Sequence, residues 1–375
     1  MNRVLRDRAI ELGAAVARGW EVVAVEEDAA GVTVTAVPVG GGTPQRVRAG
    51  WVVGCDGGRS VVRGAAGIGQ VETEPIGRMF NVVFRLPADA FERLGLAPAV
   101  LMFVFNPEVS GMISPFDGDL WRLGIGPLPL DETVDEANLR EITARYLGGD
   151  VEPEFLTVSS HLVQKRIAAT RRRGRLLLAG DAAQAFPPHL GQNLNAGIAD
   201  AHTLGWALAA VVHGWGGERL LDAYSQERTA VAHRLADATL EIARATAEME
   251  AVIAGYGDVE GDDPTAVAAR AELGALVRTV LASGSDGLLF DHRHHDSPIV
   301  VHDGSEGPPA DPTTYHPSAR PGHRAPHVWL GPGDPLSDHL GLWFTLLDLG
   351  ADPAAVAAVS EALIVSGVPF SVVQV

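Results

Sequence analysis

The alternation of apolar and polar residues divides the first part of the chain into a helix and three strands. Residues 4–16 have the spacing of an amphipathic helix. Residues 20–26 and 31–39 alternate Val and Thr with polar side chains and predict a hairpin. Residues 46–54 predict a further single strand, whose apolar end enters a sheet before glycines break it.

The middle of the chain predicts an antiparallel sheet with a helix beside it. The strand-like runs are residues 80–86, 100–105, 111–115 and 120–125. A helical pattern and an extended pattern then follow, at residues 133–147 and 154–168. We expect this segment to form a separate lobe that packs over another part of the protein.

A strand, a turn and a helix then follow in βα order. Residues 175–179 are an apolar strand that runs into Gly180-Asp181, and residues 195–212 predict a long apolar helix. The remaining patterns are helices at residues 220–254 and 264–281, an exposed connector rich in Pro, Gly, His and Asp at 297–335, and strand and helix after it.

Charge and cysteine content exclude several classes of protein. The formal net charge is −18, from 47 acidic and 29 basic residues, which disfavours nucleic acid and anionic lipid as partners. The single cysteine, Cys55, excludes an internal disulfide framework and a cysteine-based metal site. No secretory signal is found, and no apolar run approaches the roughly 20 residues of a membrane span. We therefore expect a cytoplasmic protein.

The most informative residues follow the buried strand. Asp181 stands where the carboxyl end of a sheet forms a ligand crevice, so its carboxylate can accept hydrogen bonds from ligand hydroxyls. After Pro187-Pro188, residues 191–195 open a helix whose free N–H groups suit an anionic or electron-rich ligand edge. The alternative is a helix start with an ordinary cap.

A second candidate is the Asp56-Gly57 turn, which follows another strand and precedes Arg63. Arg63 can pair with a carboxylate or a phosphate. Alone, the turn has a plain structural interpretation, because Asp-Gly is among the commonest turn signals.

Together, these two segments resemble the FAD-dependent aromatic-ring hydroxylases, the single-component flavoprotein monooxygenases. The resemblance implies that Asp56 and Arg63 border the flavin and the nicotinamide nucleotide, and that Asp181 binds the ribityl chain. The turn after the prolines would lie against the isoalloxazine ring. The cofactor-binding residues implied in this second segment are Gly180, Asp181, Pro188, Gly191, Gln192, Asn193, Leu194 and Asn195.

Three residues depart from the family pattern. Gln184 stands where the family usually has histidine, and Leu190 and Asn193 stand where it often has glycine. We expect the change at Asn193 to matter most, because glycine at such a turn allows close approach of the backbone or positive φ.

The resemblance implies an α/β and α+β fold with an antiparallel-sheet substrate domain inserted into an incomplete FAD-binding domain. The family's first strand and its Gly-x-Gly-x-x-Gly loop are not found in the sequence. The predicted divisions are a partial FAD-binding domain (1–70), the substrate-binding sheet domain (71–168), the return of the FAD-binding domain with long helices (169–285), a connector (286–335) and the start of a thioredoxin-like domain (336–375).

The implied function is NAD(P)H-dependent hydroxylation of a phenolic or aromatic polyketide substrate by FAD and O2, through a flavin C4a-hydroperoxide. No catalytic acid or base is predicted. Two alternatives stay open: a truncated remnant that cannot hold FAD, and a flavoprotein with another oxidative chemistry. A homodimer or a complementing N-terminal segment also stays open.

Six aromatic residues of the sheet segment are expected to line the substrate pocket, although about half of them should be ordinary core. They are Phe80, Phe84, Phe103, Phe105, Phe116 and Trp121.

Two further clusters carry plainer interpretations. The histidines in residues 290–296 lack a single converging face, so no metal site is predicted there. The basic run Arg171-Arg172-Arg173 is interpreted as a solvated turn ahead of the buried strand.

Overall fold

The computed structural model describes residues 2–97, 99–105, 108–149, 151–256, 259, 261–281 and 285–375. Helix α1 (Asn2–Glu11) leads into an antiparallel sheet in the order β1-β2-β3. Its strands are β1 (Trp20–Asp28), β2 (Gly31–Pro38) and β3 (Gln45–Ala49). The hairpin of β1 and β2 agrees with the prediction, and α1 ends five residues earlier than the pattern of residues 4–16 indicated.

The single strand predicted over residues 46–54 is wrong. Strand β3 ends at Ala49, the chain bends at Gly50, and β4 (Val52–Gly54) joins a different sheet. Glycine interrupts the strand, so the apolar residues after it can leave the surface hairpin and enter the interior.

Two three-stranded sheets form the α/β part of the molecule. One has the order β12-β13-β4, with β13 parallel to β4, and the other has the order β14-β11-β5. All three residues of β13 are buried, as its unbroken apolar sequence predicts. The remaining elements here are α2 (Val61–Ala65), β5 (Gln70–Glu72), β11 (Arg166–Ala168), β12 (Arg172–Arg173), β13 (Leu176–Leu178) and β14 (Gln184–Ala185).

The middle of the chain forms the predicted antiparallel sheet, with the order β10-β6-β9-β8-β7. Alternate residues, including Phe84 and Leu123, bury one face of the sheet against α4 residues such as Leu139. Consequently the opposite face is left to meet the rest of the molecule. The elements are β6 (Gly77–Arg85), α3 (Ala90–Arg93), β7 (Met102–Phe105), β8 (Ser110–Asp117), β9 (Leu120–Leu128), α4 (Glu136–Leu147) and β10 (Glu154–Val163).

Long helices pack beside both parts. Helix α5 (Gln192–His213) begins three residues before the predicted start, α6 (Arg219–Ala254) packs along it, and α7 (Pro264–Leu281) has the predicted bounds. The short helix α8 (Asp286–Phe290) follows. No helix in the part of the chain that the structure describes is both long and apolar enough to cross a membrane.

The C-terminal part contains little regular structure before residue 329. The parallel strands β17 and β18 flank α9, and Trp343 packs edge-on against Trp215 with ring centroids 5.6 Å apart. The elements are β15 (Trp329–Gly331), β16 (Asp334–Pro335), β17 (Phe344–Asp348), α9 (Pro353–Val365) and β18 (Phe370–Gln374). The mixed α/β fold class is confirmed, while the division into domains and the thioredoxin-like end stay predictions.

Candidate functional site

The two predicted loops lie at the same end of one sheet. Because β4 and β13 are parallel, their carboxyl ends coincide, and the Ala179 N–H donates to the Gly54 carbonyl at 3.0 Å. Gly180 turns the chain with φ +60°. Asp181 follows with an exposed carboxylate that has no hydrogen-bond partner among the described residues. It is therefore free to accept from a ligand.

Asp56 acts within the protein as a helix cap. Its Oδ2 accepts from the N–H groups of Val61 and Val62 at 2.8 and 3.2 Å, which satisfies the first turn of α2. The Asp-Gly turn is thereby held against the start of that helix.

Arg63 joins the two candidate loops, which are 119 residues apart in the sequence. Its Nη1 donates to the Ala182 carbonyl at 2.9 Å and its Nη2 donates to the Gly58 carbonyl at 2.7 Å. Burial and, next, the positive charge of Arg166 lower the pKa of Arg63. Arg63 therefore fixes the relative position of the loops, and its contact with a carboxylate or phosphate stays a prediction.

In the turn after the prolines, the positive φ that glycine would tolerate occurs at Leu190 and not at Asn193. Leu190 has φ 62° and ψ 3°, the left-handed region that a residue with a Cβ avoids. Asn193 is already helical within α5, so the predicted importance of glycine at 193 is wrong.

Asn193 instead pins the turn to the helix. The Phe186 N–H donates to Asn193 Oδ1 at 3.1 Å, and Asn193 Nδ2 donates to the Phe186 carbonyl at 2.7 Å. The side chains of Gln192 and Asn195 donate to the carbonyls of Leu190 and Gly191, at 2.8 and 3.0 Å. Leu194 is exposed. Most of the predicted turn residues thus stabilise the turn itself.

A buried ionic network beneath the Gly180 turn was missed. Arg171 and Asp200 are fully buried and Arg228 is 3% exposed, so the interpretation of Arg171 as part of a solvated turn is wrong. Arg171 Nη1 donates to Asp200 Oδ2 at 2.6 Å, and Arg228 Nε donates to Oδ1 at 2.9 Å. A carboxylate in the apolar sequence of α5 was the available signal, because a buried charge requires a partner.

The network also holds the turn at Gly180 in place. Asp200 Oδ2 also accepts from the Gly180 N–H at 3.0 Å. Gln184 accepts from Arg171 and donates to Asp200, which uses both ends of its amide. Gln184 therefore completes the network.

A cavity of about 360 Å³ lies between the free face of the antiparallel sheet, the 188–191 turn and α6. Its apolar lining includes Met79, Leu101, Phe103, Phe105, Met112 and Ile242. Its polar lining comprises Ser110, Arg122, His189, Thr246 and Glu250.

Two of the six aromatic residues predicted to line a pocket do so, namely Phe103 and Phe105. Phe80, Phe84 and Trp121 belong to the core on the opposite face, and Phe116 is 60% exposed. The strand period explains the split, because neighbouring positions of a strand face opposite sides of the sheet.

The histidine-rich segment is occupied by structural contacts. Arg293 pairs with Asp291 and donates to the Pro308 carbonyl at 2.8 Å, while the His294 N–H donates to the Gly322 carbonyl at 2.7 Å. Within the described residues, no group of three or more His, Cys, Asp or Glu side chains is arranged to hold a metal ion.

The geometry fits a flavin along the 180 and 188–191 loops. No atom lies within 4 Å of a Cβ built on Gly180 or Gly191, so the space above both is open. The exposed Asp181 carboxylate and the buried, partnerless His189 Nδ1 point to a ligand with several polar groups. These residues would hold the ribityl chain and the edge of the flavin ring.

Comparison with known proteins identifies the family and its FAD cofactor. Residues 1–239 match the family described as the FAD binding domain. The tetracenomycin B2 monooxygenase-dioxygenase of Streptomyces olivaceus is 32% identical over 358 residues, which cover 94% of this chain and 59% of that protein. The chain thus spans about three fifths of that relative's length.

Solved structures agree with the fold. The rebeccamycin biosynthetic enzyme RebC with reduced flavin has a TM-score of 0.81 and 30% identity, covering 98% of this chain and 68% of that one. A ternary complex of aklavinone-11 hydroxylase with FAD and aklavinone has a TM-score of 0.76 and 28% identity, covering 99% and 66%. Since the family match extends over more than half of the chain, the chain belongs to the FAD-dependent aromatic hydroxylase family.

Proposed function

We propose that the chain takes part in FAD-dependent hydroxylation of a phenolic or aromatic polyketide substrate, with NAD(P)H as reductant and O2 as the oxygen source. The observation that carries this proposal is the cavity of about 360 Å³ whose wall includes Pro188, His189, Leu190 and Gly191. The turn proposed to contact the flavin and the surface proposed to contact the substrate thus line the same cavity.

The proposed flavin contacts divide into two groups. Gly180 and Asp181 would hold the ribityl chain, because the carboxylate is exposed at the carboxyl end of the sheet. The turn and first helical residues would lie against the flavin ring, namely Pro188, Gly191, Gln192, Asn193, Leu194 and Asn195. Asp56 and Arg63 would shape the crevice where the nicotinamide approaches, since Arg63 bonds to Ala182 next to the Gly180 loop.

When bound, reduced flavin supplies the activated oxygen. The protein positions the substrate and excludes water from the site. Phe103 and Phe105 offer flat apolar contact to an aromatic ring, and Met79, Met112 and Ile242 surround it with apolar surface. Exclusion of water from this space by the bound substrate would limit unproductive loss of the activated oxygen as hydrogen peroxide.

His189 lies between the two contact surfaces. Burial lowers the pKa of its imidazole, which favours the neutral ring, and its Nδ1 has no hydrogen-bond partner among the described residues. A neutral ring has one donor and one acceptor nitrogen. We propose that it makes a single positioning hydrogen bond to flavin or substrate.

The test is oxygen insertion by the purified chain supplied with FAD. The chain is incubated under air with NADH or NADPH and a hydroxyanthraquinone, and products are analysed by mass spectrometry. We expect a product with one added oxygen atom that is absent without O2. Oxidation of NAD(P)H without such a product, or no oxidation at all with flavin bound, would contradict the proposed hydroxylation.

A further inference from the structure

Helix α6 presents one row of side chains to the cavity. Ile242, Thr246 and Glu250 are four residues apart and all line it, as expected for one face of a helix. Thr246 is only 8% exposed, and its hydroxyl has no partner among the described residues. A buried hydroxyl without a partner costs free energy until a ligand supplies one.

Glu250, at the end of this row, is a half-buried carboxylate without a cation. It accepts a hydrogen bond from the Ser110 hydroxyl, and within the described residues no Lys, Arg or His pairs with it. Burial raises its pKa, which the bond from Ser110 only partly opposes. Ser110 is itself fixed, because the Tyr146 hydroxyl donates to its carbonyl.

Arg122 lines the same cavity from the sheet. Its neighbour Leu123 points into the core, so Arg122 faces the opposite side, and its side chain is half-buried. Its guanidinium makes no hydrogen bond or ion pair with another described residue, and only its backbone pairs with the neighbouring strands. Arg122 and Glu250 therefore line one cavity without forming an ion pair with each other.

The aromatic wall indicates the shape of a ligand. The rings of Phe103 and Phe105 are stacked, with planes 11° apart and centroids 6.2 Å apart. Both rings line the cavity. Two successive aromatic rings along one wall offer contact to a ligand longer than a single benzene ring, as a fused aromatic ring system is.

We infer that Glu250 and Arg122 determine specificity, selecting a planar fused aromatic ligand that carries a free ring hydroxyl and a carbonyl oxygen. The hydroxyl donates to Glu250, with the Thr246 hydroxyl beside it, and the carbonyl accepts from Arg122. Hydrogen bonds to charged groups are stronger than neutral ones, so each unpaired charge recognises its complement. This inference rests on the proposed function and names the substrate features that the same site requires.

The experiment measures the Kd of three probes for the chain by fluorescence titration, without turnover. The probe 2-hydroxyanthraquinone has both the hydroxyl and the carbonyls, anthraquinone has only the carbonyls, and 2-hydroxyanthracene has only the hydroxyl. We expect the first probe to bind most tightly.

The variants Glu250→Gln and Arg122→Met should have opposite selectivity. Glu250→Gln should weaken the two hydroxyl-bearing probes about tenfold and leave anthraquinone within about twofold. Arg122→Met should weaken the two carbonyl-bearing probes about tenfold and spare 2-hydroxyanthracene. The exposed positions on α6 provide matched controls, Glu248→Gln and Arg244→Met, which should change no Kd.

Glutamine at 250 can still accept from Ser110, so the contact between α6 and the sheet is retained, and circular dichroism confirms that each variant is folded. Equal losses for all probes, or no binding by the wild-type chain, would overturn the inference. Failure of oxygen insertion with the predicted probe pattern intact would contradict the proposed function alone.

Discussion

The ionic network under the Gly180 turn and the charged cavity beside the sheet use the same side-chain types in opposite ways. Asp200 is fully buried between Arg171 and Arg228 and also accepts from the Gly180 backbone. Glu250 and Arg122 line one cavity and do not pair. Charged groups that pair with one another hold the shape of this protein, whereas those left without an oppositely charged partner are available to a ligand.

The largest effect should come from breaking the network. Asp200→Asn removes the negative charge between two buried guanidinium groups, and it should lower the free energy of unfolding by about 3 to 5 kcal/mol. Urea denaturation followed by circular dichroism measures the loss.

The matched control is Asp222, whose carboxylate is 63% exposed and pairs with Arg172 at 2.8 Å. Asp222→Asn should cost no more than about 1 kcal/mol, because solvent screens the exposed carboxylate and Arg172 keeps its ion pair with Glu218. Similar losses in both variants would remove the energetic distinction between the network and the surface.

A second prediction concerns the backbone of the antiparallel sheet that lines the cavity. A Cβ at Gly111 would overlap the Gly124 carbonyl oxygen and lie 2.8 Å from the Tyr146 ring. Gly111→Ala should therefore lower the unfolding free energy by about 3 kcal/mol, as overpacking does. At Gly191 a Cβ meets no atom within 4 Å, but φ is +63°, so Gly191→Ala should cost only about 1 kcal/mol. Thermal unfolding of the two variants compares them directly.

The third prediction uses pH to probe the surroundings of the network. Burial, and then the charges of Arg228, His292 and Arg234, lower the pKa of His294 from 6.5 to about 4. Because the unfolded chain binds this proton more readily, stability is full above pH 6.5 and is lost as pH falls toward about 4.

His294→Gln should reduce that loss by about 1 to 2 kcal/mol between those limits. The comparison is made by urea denaturation at several pH values. His295→Gln is the matched control, because that ring is 41% exposed. An unchanged pH slope in His294→Gln would show that this ring does not couple folding to protons.

The smallest effect should be that of Glu250→Gln on stability. It is the same chemical change as Asp200→Asn, yet the carboxylate has no cation to lose and the amide can still accept from Ser110. We expect the unfolding free energy to change by less than about 1 kcal/mol. A loss as large as that of Asp200→Asn would mean that Glu250 is part of the scaffold.

Much of the fold could be predicted from the sequence, because its strongest signals are local. The alternation in β1 and β2, the apolar run of β13 and the bounds of α7 all depend on neighbouring residues. The split between β3 and β4 could not be predicted, since a bend at Gly50 moves the chain between sheets.

The candidate site was less accessible to sequence reasoning. The position of Asp181 at the end of the sheet follows from the strand before it, but the burial of Arg171 depends on Asp200 and Arg228, which are distant in sequence. Likewise, the pattern gave no indication that Leu190 rather than Asn193 would take positive φ. Contacts between distant segments decide such features.

The most direct test of the account is flavin retention by the wild-type chain and by Asp181→Ala. Each is incubated with FAD and passed through gel filtration, and its visible absorption spectrum is recorded. We predict bound-flavin bands in the wild-type chain and at least about tenfold less flavin in Asp181→Ala, whose thermal midpoint should be unchanged because the carboxylate bonds to no described residue. Equal retention by both proteins, or none by the wild-type chain, would contradict the placement of the flavin at this loop.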